Sequence, residues 1–587
     1  MFDDMSFIFG LMRVVMALAV RAVRFLSPRA WRYDVLDIRI KGEIPEELPQ
    51  TGWVRRFYRA RMAFKDYLFA LREAKDDPNL KFVILHIKDP ELGWGQASEL
   101  REAIRSLREA GLVVLAFLES ADNLSYYLAA SCDEIFLVPT GQIMLRGLAT
   151  EVLFFKGILE KVKVKAELMH AGKYKSASEL FTRKSMSPAH REEINDLLDS
   201  IFGTMTNDLA KDRKLTVSAI RKLIDRGSFL ADEARAHGLV DRLCYEDELD
   251  EIVEERLQRR VRRIDFPKYG NVRDVDLPIA FHFRPHRRIA LLYATGPISM
   301  GQSSDYAPAG PSAGAESIAE ALRDIRKSKD IIGTVVRVSS PGGSALASDL
   351  IWREIALGKR NPRRDDPEKK HKPLIVSMGD VAASGGYYIS CPADSILASP
   401  TTITGSIGVV GGKFNLKGLL DVVGLGVETV TRGKAADRDS PFRGFDPEER
   451  KRLKMEMDTV YDEFLNKVGR GRNIDLKKVK KLAEGRVWSG AQASKNGLVD
   501  QLGGILPAID LVKEKAGIPK GEKVIIEFFP RKKRFVRIPL FSGSYNIVKK
   551  IALREMLSLL PKDIRGIIPL FRAGKPLSIM PYWLKIY

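Results

Sequence analysis

The chain has 587 residues, of which 45% are hydrophobic and 29% are charged. These fractions are close to globular averages, so they exclude a largely disordered, collagen-like or polytopic membrane chain. Lysine and arginine (96) exceed aspartate and glutamate (76), and the resulting net charge of +20 favours contact with anionic surfaces. The basic runs lack the motifs of nucleic-acid readers, so we expect no nucleic-acid partner. Three scattered cysteines without a Cys-x-x-Cys pair predict neither a disulfide framework nor a metal site.

The N-terminal residues 1–32 form a candidate membrane-associated helix. The stretch from Phe7 to Leu26 is about as long as a bilayer span and is apolar except for Arg13, Arg21 and Arg24. On a helix these arginines share one side, which is typical of an interfacial helix or of a span with a polar seam. A cleaved signal peptide is less favoured, because the residues before the stretch are acidic. A helix buried against the protein is the remaining alternative.

The chain contains an internal repeat. Gly238 to Leu243 (GLVDRL) recurs as Gly497 to Leu502 (GLVDQL) at an offset of 259, and Tyr126-Tyr127 recurs as Tyr387-Tyr388 at 261. Such self-similarity indicates two related halves of roughly 250 residues. We therefore predict a first repeat over 33–265, a linker over 266–286, a second repeat over 287–535 and a basic, apolar C-terminal extension over 536–587.

Each half alternates short β-branched runs with helical periods. This rhythm predicts an α/β fold with mostly parallel strands. Residues 303–314, rich in Ser, Pro, Ala and Gly, predict a mobile loop or an ordered turn. In the second half the predicted strands are Ile289–Tyr293, Ile331–Val338, Leu374–Met378 and Ser395–Leu397, and the predicted helices are Ala315–Lys327 and Ala345–Gly358.

A candidate nucleophile occurs in the second half only. Val381 to Tyr388 reads VAASGGYY, so Ser384 follows a predicted strand and precedes two glycines. A serine at such a turn can expose its hydroxyl beside free backbone N–H groups, as acyl transfer requires. The first half has Asn123 at the equivalent position.

A candidate base occurs in the first half only. None of the seven histidines lies in a motif that resembles a known triad, and a buried neutral lysine can serve instead. In the string HAGKYKS, Lys173 has a counterpart in Lys434, whereas Lys175 is matched by Ala436. The complementary pattern predicts one composite site that combines Lys175 and Ser384. Taken alone, Lys175 would be interpreted as a surface lysine and Ser384 as part of a structural turn.

Glycines and a second serine complete the candidate site. The string SSPGGS at 339–344 follows a strand, so the amides of Gly342 and Gly385 are candidates for the oxyanion hole, with Gly343 assisting the geometry. Ser406, in the string TGSIG, could orient the lysine amine. A turn hydroxyl that satisfies only local backbone is an equally good reading of Ser406.

Together these strings resemble the signal peptide peptidase A (protease IV) family in its long tandem form. The resemblance rests on HAGKYKSASELF with Lys175, RVSSPGGSALAS with Gly342, SMGDVAASGGYYIS with Ser384 and ITGSIGVV with Ser406. It implies a tandem duplication of a Clp protease/crotonase-type fold, a Ser/Lys dyad, a membrane anchor and a bowl-shaped homotetramer without a cofactor. It also implies degradation of signal peptides at the bacterial inner membrane, with the catalytic body on the periplasmic or extracytoplasmic side.

The functional hypothesis is therefore a membrane-associated serine endopeptidase acting on hydrophobic peptides. Neutral Lys175 would deprotonate Ser384, and the Gly342 and Gly385 amides would hold the oxyanion. Two alternatives stay open. A crotonase-like enzyme acting on acyl-CoA shares the fold and the oxyanion hole, and a non-catalytic membrane scaffold would need neither residue.

Overall fold

The computed structural model describes residues 33–48, 62–269, 287–307, 310–359, 371–519, 521–531 and 577–579. They form two compact units. The first contains the described residues of 33–147 and 202–269, and the second contains 148–201 and the described residues from 288 onwards. The predicted helix over 1–32, most of the linker and most of the C-terminal extension lie outside the described residues, so the predicted domain boundaries remain predictions.

The strands are numbered β1 to β23 in chain order. They are β1 (Val35–Glu43), β2 (Phe82–Glu91), β3 (Val113–Leu118), β4 (Glu134–Leu137), β5 (Gln142–Ile143), β6 (Lys165–Ala171), β7 (Phe229–Leu230), β8 (Arg242–Leu243), β9 (Arg263–Asp265), β10 (Arg288–Thr295), β11 (Ile298–Ser299), β12 (Ser304–Ala307), β13 (Gly310–Gly314), β14 (Ile331–Ser340), β15 (Gly342–Ser344), β16 (Leu374–Ala383), β17 (Ser395–Ala398), β18 (Ile403–Gly405), β19 (Val409–Asn415), β20 (Val487–Ser489), β21 (Gln501–Leu502), β22 (Ile525–Phe529) and β23 (Leu577–Ile579).

The helices are numbered in the same way. They are α1 (Phe64–Lys75), α2 (Trp94–Glu109), α3 (Asn123–Ala129), α4 (Lys156–Lys161), α5 (Glu179–Thr182), α6 (Pro188–Asp212), α7 (Val217–Arg226), α8 (Ala231–Ala236), α9 (Glu248–Leu257), α10 (Ala315–Lys327), α11 (Ala345–Lys359), α12 (Gly385–Ser390), α13 (Lys417–Val422), α14 (Pro447–Arg472), α15 (Leu476–Leu482), α16 (Gly490–Asn496) and α17 (Ile505–Lys515). None of the helices in the described ranges is long and apolar enough to cross a membrane.

The first unit is built on a parallel six-stranded sheet. Its strand order is β8-β4-β3-β2-β1-β9, and every neighbouring pair is parallel. The continuous buried run Phe82–Ile87 in β2 is typical of a strand that is covered on both faces. Apolar runs of this kind are why the sequence predicts buried strands here.

The second unit repeats this strand order. Its main sheet contains the parallel path β21-β17-β16-β14-β10-β22, to which β18 and the antiparallel β20 are added beside β16. Each strand of this path corresponds in chain order to one strand of the first unit. The duplication that the sequence predicts is therefore present in the topology.

The elements predicted for the second half are confirmed. Helix α10 spans the predicted residues Ala315–Lys327, because Ile318, Leu322 and Ile325 recur at helical spacing and pack into the core. The predicted loop over 303–314 instead contributes the antiparallel strands β12 and β13. It does so because β13 pairs in parallel with β11, which adds the segment to a sheet.

A second sheet of the same unit carries several candidate site residues. Its strand order is β12-β13-β11-β15-β23-β19-β6. Strand β15 contains Gly342 and Gly343, β19 begins shortly after Ser406, and β6 ends shortly before Lys175. This sheet and the main sheet together position the candidate site.

Candidate active site

Ser384 occupies a sharp turn between strand β16 and helix α12. Its φ of 55° and ψ of −113° are rarely adopted by a residue other than glycine. Two hydrogen bonds hold this backbone in place: the Ser384 N–H donates to the Gly405 carbonyl (2.8 Å), and the Tyr388 N–H donates to the Ser384 carbonyl (2.8 Å). A strained strand-to-helix turn with a fixed hydroxyl is the arrangement used by many nucleophilic serines.

Lys175 follows strand β6 in a turn that is packed against the loop at 484–485. The Tyr174 N–H donates to the Glu484 carbonyl (2.7 Å), and the Lys173 N–H donates to Glu484 Oε2 (2.9 Å). A Cβ at Gly485, which has φ of +80°, would lie 2.5 Å from the Lys175 nitrogen. Gly485 is therefore needed for the lysine backbone to approach this loop so closely.

The Lys175 amine contacts Ser384 and Ser406. Its Nζ lies 2.8 Å from Ser384 Oγ, 2.9 Å from the Ser406 carbonyl oxygen and 3.0 Å from Ser406 Oγ. A neutral amine has two N–H donors and one lone pair. With the two donors directed to Ser406, the lone pair is left to accept the hydroxyl proton of Ser384.

Burial favours this neutral form of the lysine. Lys175, Ser384 and Ser406 all have 0% relative exposure. Loss of hydration lowers the pKa of Lys175 well below its ordinary 10.5, and the nearby Glu193 carboxylate opposes this only in part. A lysine with such a lowered pKa can act as a general base near neutral pH.

Glu193 is a second buried charge at the site. It lies on α6, is 1% exposed, and its Oε1 accepts the Val487 N–H at 2.6 Å. Val487 begins β20, which pairs with β18 immediately before Ser406, and the Ser406 N–H donates to the Arg486 carbonyl (2.7 Å). Glu193 thus supports the backbone that positions Ser406.

Ser406 is held with a φ of 52°, again in the left-handed region. This conformation presents both its carbonyl and its hydroxyl to the same amine. The two readings of Ser406 left open by the sequence are a partner of the lysine and a local turn hydroxyl. The hydroxyl lies 3.0 Å from Lys175 Nζ, at which distance it can accept a hydrogen bond from the amine.

The glycine turn lies beside the serine turn. Ser340, at the end of β14, pairs with Ala382, and a Cβ at Gly386 would lie 2.7 Å from the Ser340 carbonyl. The Gly342 N–H, one of the two oxyanion candidates, donates to Ser340 Oγ at 3.2 Å. The other candidate, Gly385, is the first residue of α12, so no carbonyl of its own helix can accept its N–H.

Gly343 has a packing role. Its φ is +155°, and a Cβ there would lie 2.1 Å from the Ile298 carbonyl oxygen. Only glycine therefore allows β15 to pair with β11 at this point. The assistance of Gly343 to the geometry of the oxyanion hole stays a prediction.

The structure brings together Lys175, Ser384 and Ser406 within the second unit, since residues 148–201 pack there although they belong to the first repeat in sequence. The repeats in sequence and the units in space therefore divide the chain at different residues.

Sequence reasoning missed Gly485 and Glu193. Both lie within charged stretches that look like solvated surface, and no local pattern distinguishes them.

Comparison with known proteins identifies the family. The family model for peptidase family S49 matches residues 106–259 and 367–519, which together are more than half of the chain. The chain belongs to peptidase family S49. The two S49 matches fall one in each half, so the predicted family and the predicted tandem duplication of an α/β fold are confirmed.

S49 relatives extend over most of the chain. It is 32% identical to "Serine protease SPPA, chloroplastic" of Arabidopsis thaliana, over 85% of this chain and 71% of that protein. It is 32% identical to "Protease 4" of Salmonella typhi, over 77% of this chain and 72% of that protein, and 31% identical to "Protease 4" of Haemophilus influenzae, over 76% and 72%. As a member of the S49 family, the chain is a serine-type peptidase acting on peptides.

Proposed function

We propose that the chain is a membrane-associated serine endopeptidase in which Ser384 is the nucleophile and Lys175 is the general base. The contact that carries this proposal is the 2.8 Å distance between Lys175 Nζ and Ser384 Oγ in a fully buried site. The nucleophile and a base with a lowered pKa lie within hydrogen-bond distance, as nucleophilic catalysis requires.

In the first half-reaction, the Lys175 lone pair removes the Ser384 hydroxyl proton while Oγ forms a bond to the peptide carbonyl carbon. The carbonyl π electrons move to oxygen, and the amides of Gly342 and Gly385 are the proposed donors to that oxyanion. Collapse of the intermediate breaks the C–N bond, and the Lys175 ammonium returns its proton to the leaving amine. An acyl-enzyme on Ser384 remains.

In the second half-reaction, water repeats the sequence. Lys175 accepts a proton from the water as its oxygen attacks the acyl carbon, and the proton returns to Ser384 Oγ as the ester bond breaks. Ser406 keeps the amine directed toward Ser384 in both halves through the contacts at 2.9 and 3.0 Å. Ser406 is thus a positioning residue.

Hydrophobic peptides, such as signal peptides cleaved from secreted proteins, are the proposed substrates. One relative is named "Putative signal peptide peptidase SppA". The proposal also includes a homotetramer at the bacterial inner membrane, with the catalytic body on the periplasmic or extracytoplasmic side and with no cofactor.

An exposed apolar segment supports membrane contact. Between 422 and 430 the relative exposures include 67% for Val422, 65% for Val423, 58% for Leu425 and 86% for Val430. Large apolar side chains that remain exposed in one stretch mark a surface for lipid or protein contact. Together with the net charge of +20, they fit a surface that approaches anionic lipid headgroups.

The test is hydrolysis of a fluorogenic apolar peptide by detergent-solubilised protein. We expect Ser384→Ala and Lys175→Ala to lose cleavage, whereas Lys173→Ala, the matched control, keeps it because the exposed Lys173 Nζ contacts the hydroxyl and the ring of Tyr174. An acylating fluorophosphonate probe should label the wild type and not Ser384→Ala. Full cleavage by either of the first two variants would contradict the dyad, and turnover of acyl-CoA without peptide cleavage would favour the crotonase-like alternative.

A further inference from the structure

Tyr388 lies at the centre of a buried polar cluster, one helical turn after the candidate nucleophile. Its hydroxyl donates to Asp349 on α11 (2.9 Å) and accepts from Lys467 on α14 (3.0 Å). The Lys467 ammonium also contacts Asp349 and lies 3.2 Å from Glu463, so each of its three N–H donors has an acceptor. Tyr388 is 3% exposed and Lys467 is 7% exposed. The proposed mechanism assigns no step to these residues.

The side chain of Tyr388 is fixed at both its hydroxyl and its ring. Burial and the Asp349 carboxylate raise the pKa of Tyr388 above its ordinary 10.0, so the hydroxyl keeps its proton and donates to that carboxylate. The centroid of the tyrosine ring lies 4.5 Å from that of Phe464, and Lys467 Nζ lies 4.1 Å from the centroid of the Trp352 ring. The cluster therefore forms a rigid connection between α11, α12 and α14.

On one side, this connection reaches the glycine turn. Asp349 lies in the second turn of α11, and α11 begins directly after β15, the strand that starts with Gly342. The Ser348 hydroxyl donates to the Ser344 carbonyl (2.9 Å), so the first turn of α11 is joined to the end of that strand. A displacement of Asp349 would therefore also displace the Gly342 amide.

On the other side, the connection reaches the serine turn. The Tyr388 N–H donates to the Ser384 carbonyl (2.8 Å), which closes the first turn of α12. The same turn carries the amide of Gly385, and the direction of this N–H follows the position of the helix N-terminus. The bond between Tyr388 and Asp349 thus links the two backbone segments that carry the proposed oxyanion donors.

The first unit contains the corresponding junction with its charges exchanged. Tyr127 donates its hydroxyl to Asp208 on α6 (2.5 Å), and the Arg101 guanidinium on α2 lies 3.9 Å from the centroid of the tyrosine ring. Helices α6 and α14 begin 259 residues apart, which aligns Asp208 with Lys467, and α2 and α11 begin 251 residues apart, which aligns Arg101 with Trp352. The acid and the cation have therefore changed helices together, while the tyrosine has stayed in place.

We propose that Tyr388, Asp349 and Lys467 are positioning residues of the peptidase, which hold the two proposed oxyanion donors at a fixed distance from each other. This inference deepens the proposed peptidase function and rests on it. Oxyanion donors stabilise the transition state only when they are fixed in advance around the developing charge. A small displacement of one donor therefore lowers the rate of the chemical step without weakening the binding of the substrate.

The decisive variant is Tyr388→Phe in the full-length protein. It keeps the ring and the N–H that donates to Ser384 but removes the hydroxyl that joins α12 to α11. We expect kcat for a fluorogenic apolar peptide to fall about tenfold at every pH, with KM within twofold of the wild type. The acid limb of kcat against pH should stay in place, because the cluster acts on the oxyanion donors and not on Lys175. Labelling of Ser384 by a fluorophosphonate should slow by the same factor.

Two matched controls separate positioning from stability. Tyr387→Phe, on the same helix, removes a buried hydroxyl that donates to the Leu498 carbonyl (2.9 Å) instead of to α11. Tyr127→Phe breaks the corresponding junction in the first unit, which has Asn123 at the position of the candidate nucleophile. Each control should lower the melting temperature about as much as Tyr388→Phe but keep kcat within twofold. A wild-type kcat in Tyr388→Phe, or equal losses of kcat in all three variants, would overturn the positioning role.

An exchange of charges tests the same role if Tyr388→Phe does not fold. Lys467→Asp places a third carboxylate beside Asp349 and Glu463, so kcat should fall at least about tenfold. Adding Trp352→Arg and Asp349→Ser reproduces the residues of the first unit and restores the net charge of the cluster, so kcat should return to within threefold of the wild type. A triple variant as slow as Lys467→Asp would overturn the positioning role. A wild type that shows neither cleavage nor labelling would instead reject the proposed peptidase function.

Discussion

Replacing Ser406 with alanine removes one of the two acceptors that hold the Lys175 amine. The Ser406 carbonyl at 2.9 Å remains, but the hydroxyl at 3.0 Å is lost. The site has no exposed surface from which water could take its place. One N–H of the neutral lysine is therefore left without an acceptor, or the amine turns away from Ser384.

The magnitude follows from the cost of a buried donor without a partner. That cost is about 1–3 kcal/mol. If the amine must adopt this arrangement in the transition state, a penalty of that size lowers kcat about 5- to 150-fold, since about 1.36 kcal/mol corresponds to a factor of ten.

The pH profile gives a second, independent readout. Hydrogen bonds from a charged donor are stronger than those from a neutral one, so the lost hydroxyl destabilises the ammonium more than the amine. The pKa of Lys175, already lowered by burial, falls further, and the acid limb of kcat against pH moves to lower pH. A purely structural role of Ser406 would not move this limb.

The assay compares kcat for a fluorogenic apolar peptide across a pH series for wild type and Ser406→Ala. Thr404→Val is the matched control, because its buried hydroxyl donates to the Ala382 carbonyl (2.8 Å) and does not contact the lysine. We expect Thr404→Val to lose stability but to keep the position of the acid limb. Activity of Ser406→Ala within twofold of the wild type, with an unmoved limb, would refute the assigned role.

Three further predictions concern the surroundings of the lysine. Glu193→Gln keeps an acceptor for the Val487 N–H but removes the carboxylate that raises the pKa of Lys175, so the acid limb of kcat against pH should move to lower pH. The control Glu192→Gln, on the exposed side of the same helix, should leave the limb in place, and equal shifts in both variants would contradict a specific effect of Glu193. Lys175→Met should abolish cleavage and raise the melting temperature at neutral pH, because the wild-type lysine has a lower pKa in the folded state and must lose its proton when the chain folds. The gain in melting temperature should shrink as pH rises toward 10.5, and a constant gain would contradict a neutral buried lysine. Gly485→Ala should lower activity more than tenfold and reduce the melting temperature, since its Cβ would lie 2.5 Å from the Lys175 nitrogen, and normal activity would show that the loop can move to make room for the Cβ. The control Gly424→Ala, at a glycine with φ of +72° but nothing within 4 Å of the added Cβ, should cause only a local loss of stability.

Local patterns in the sequence were sufficient to predict much of the fold. The apolar period of 315–327 predicted helix α10, and the recurrence of Gly238–Leu243 as Gly497–Leu502 predicted two related halves, which the structure shows as two sheets with the same strand order. The comparison of the two halves selected Lys175 and Ser384, which the structure places 2.8 Å apart. The helix and the duplication could be predicted because helical periodicity and repetition are visible in the sequence itself, whereas the roles of Lys175 and Ser384 stay predictions.

Contacts between distant segments left no such marks. Glu484 and Gly485 pack against the turn of Lys175, and Glu193 is buried although the two residues before it, Arg191 and Glu192, are charged and exposed. Residues 577–579 are too short a run to predict a strand, and their place beside Gly342 follows from two strand edges that the chain order does not reveal. In these regions, contacts between segments that are distant in the sequence decide whether a residue is exposed or belongs to the candidate site.

The long sequence separation of the site has a consequence for synthesis of the protein. Lys175 and Ser384 lie 209 positions apart, and the turn of the lysine is held by a loop 311 positions away from Lys173. A nascent chain that ends before residue 485 lacks the loop that packs against the turn of Lys175, even if the preceding residues have already folded. On the proposed mechanism, peptidase activity therefore arises late in translation, only after the loop at 484–485 has been synthesised.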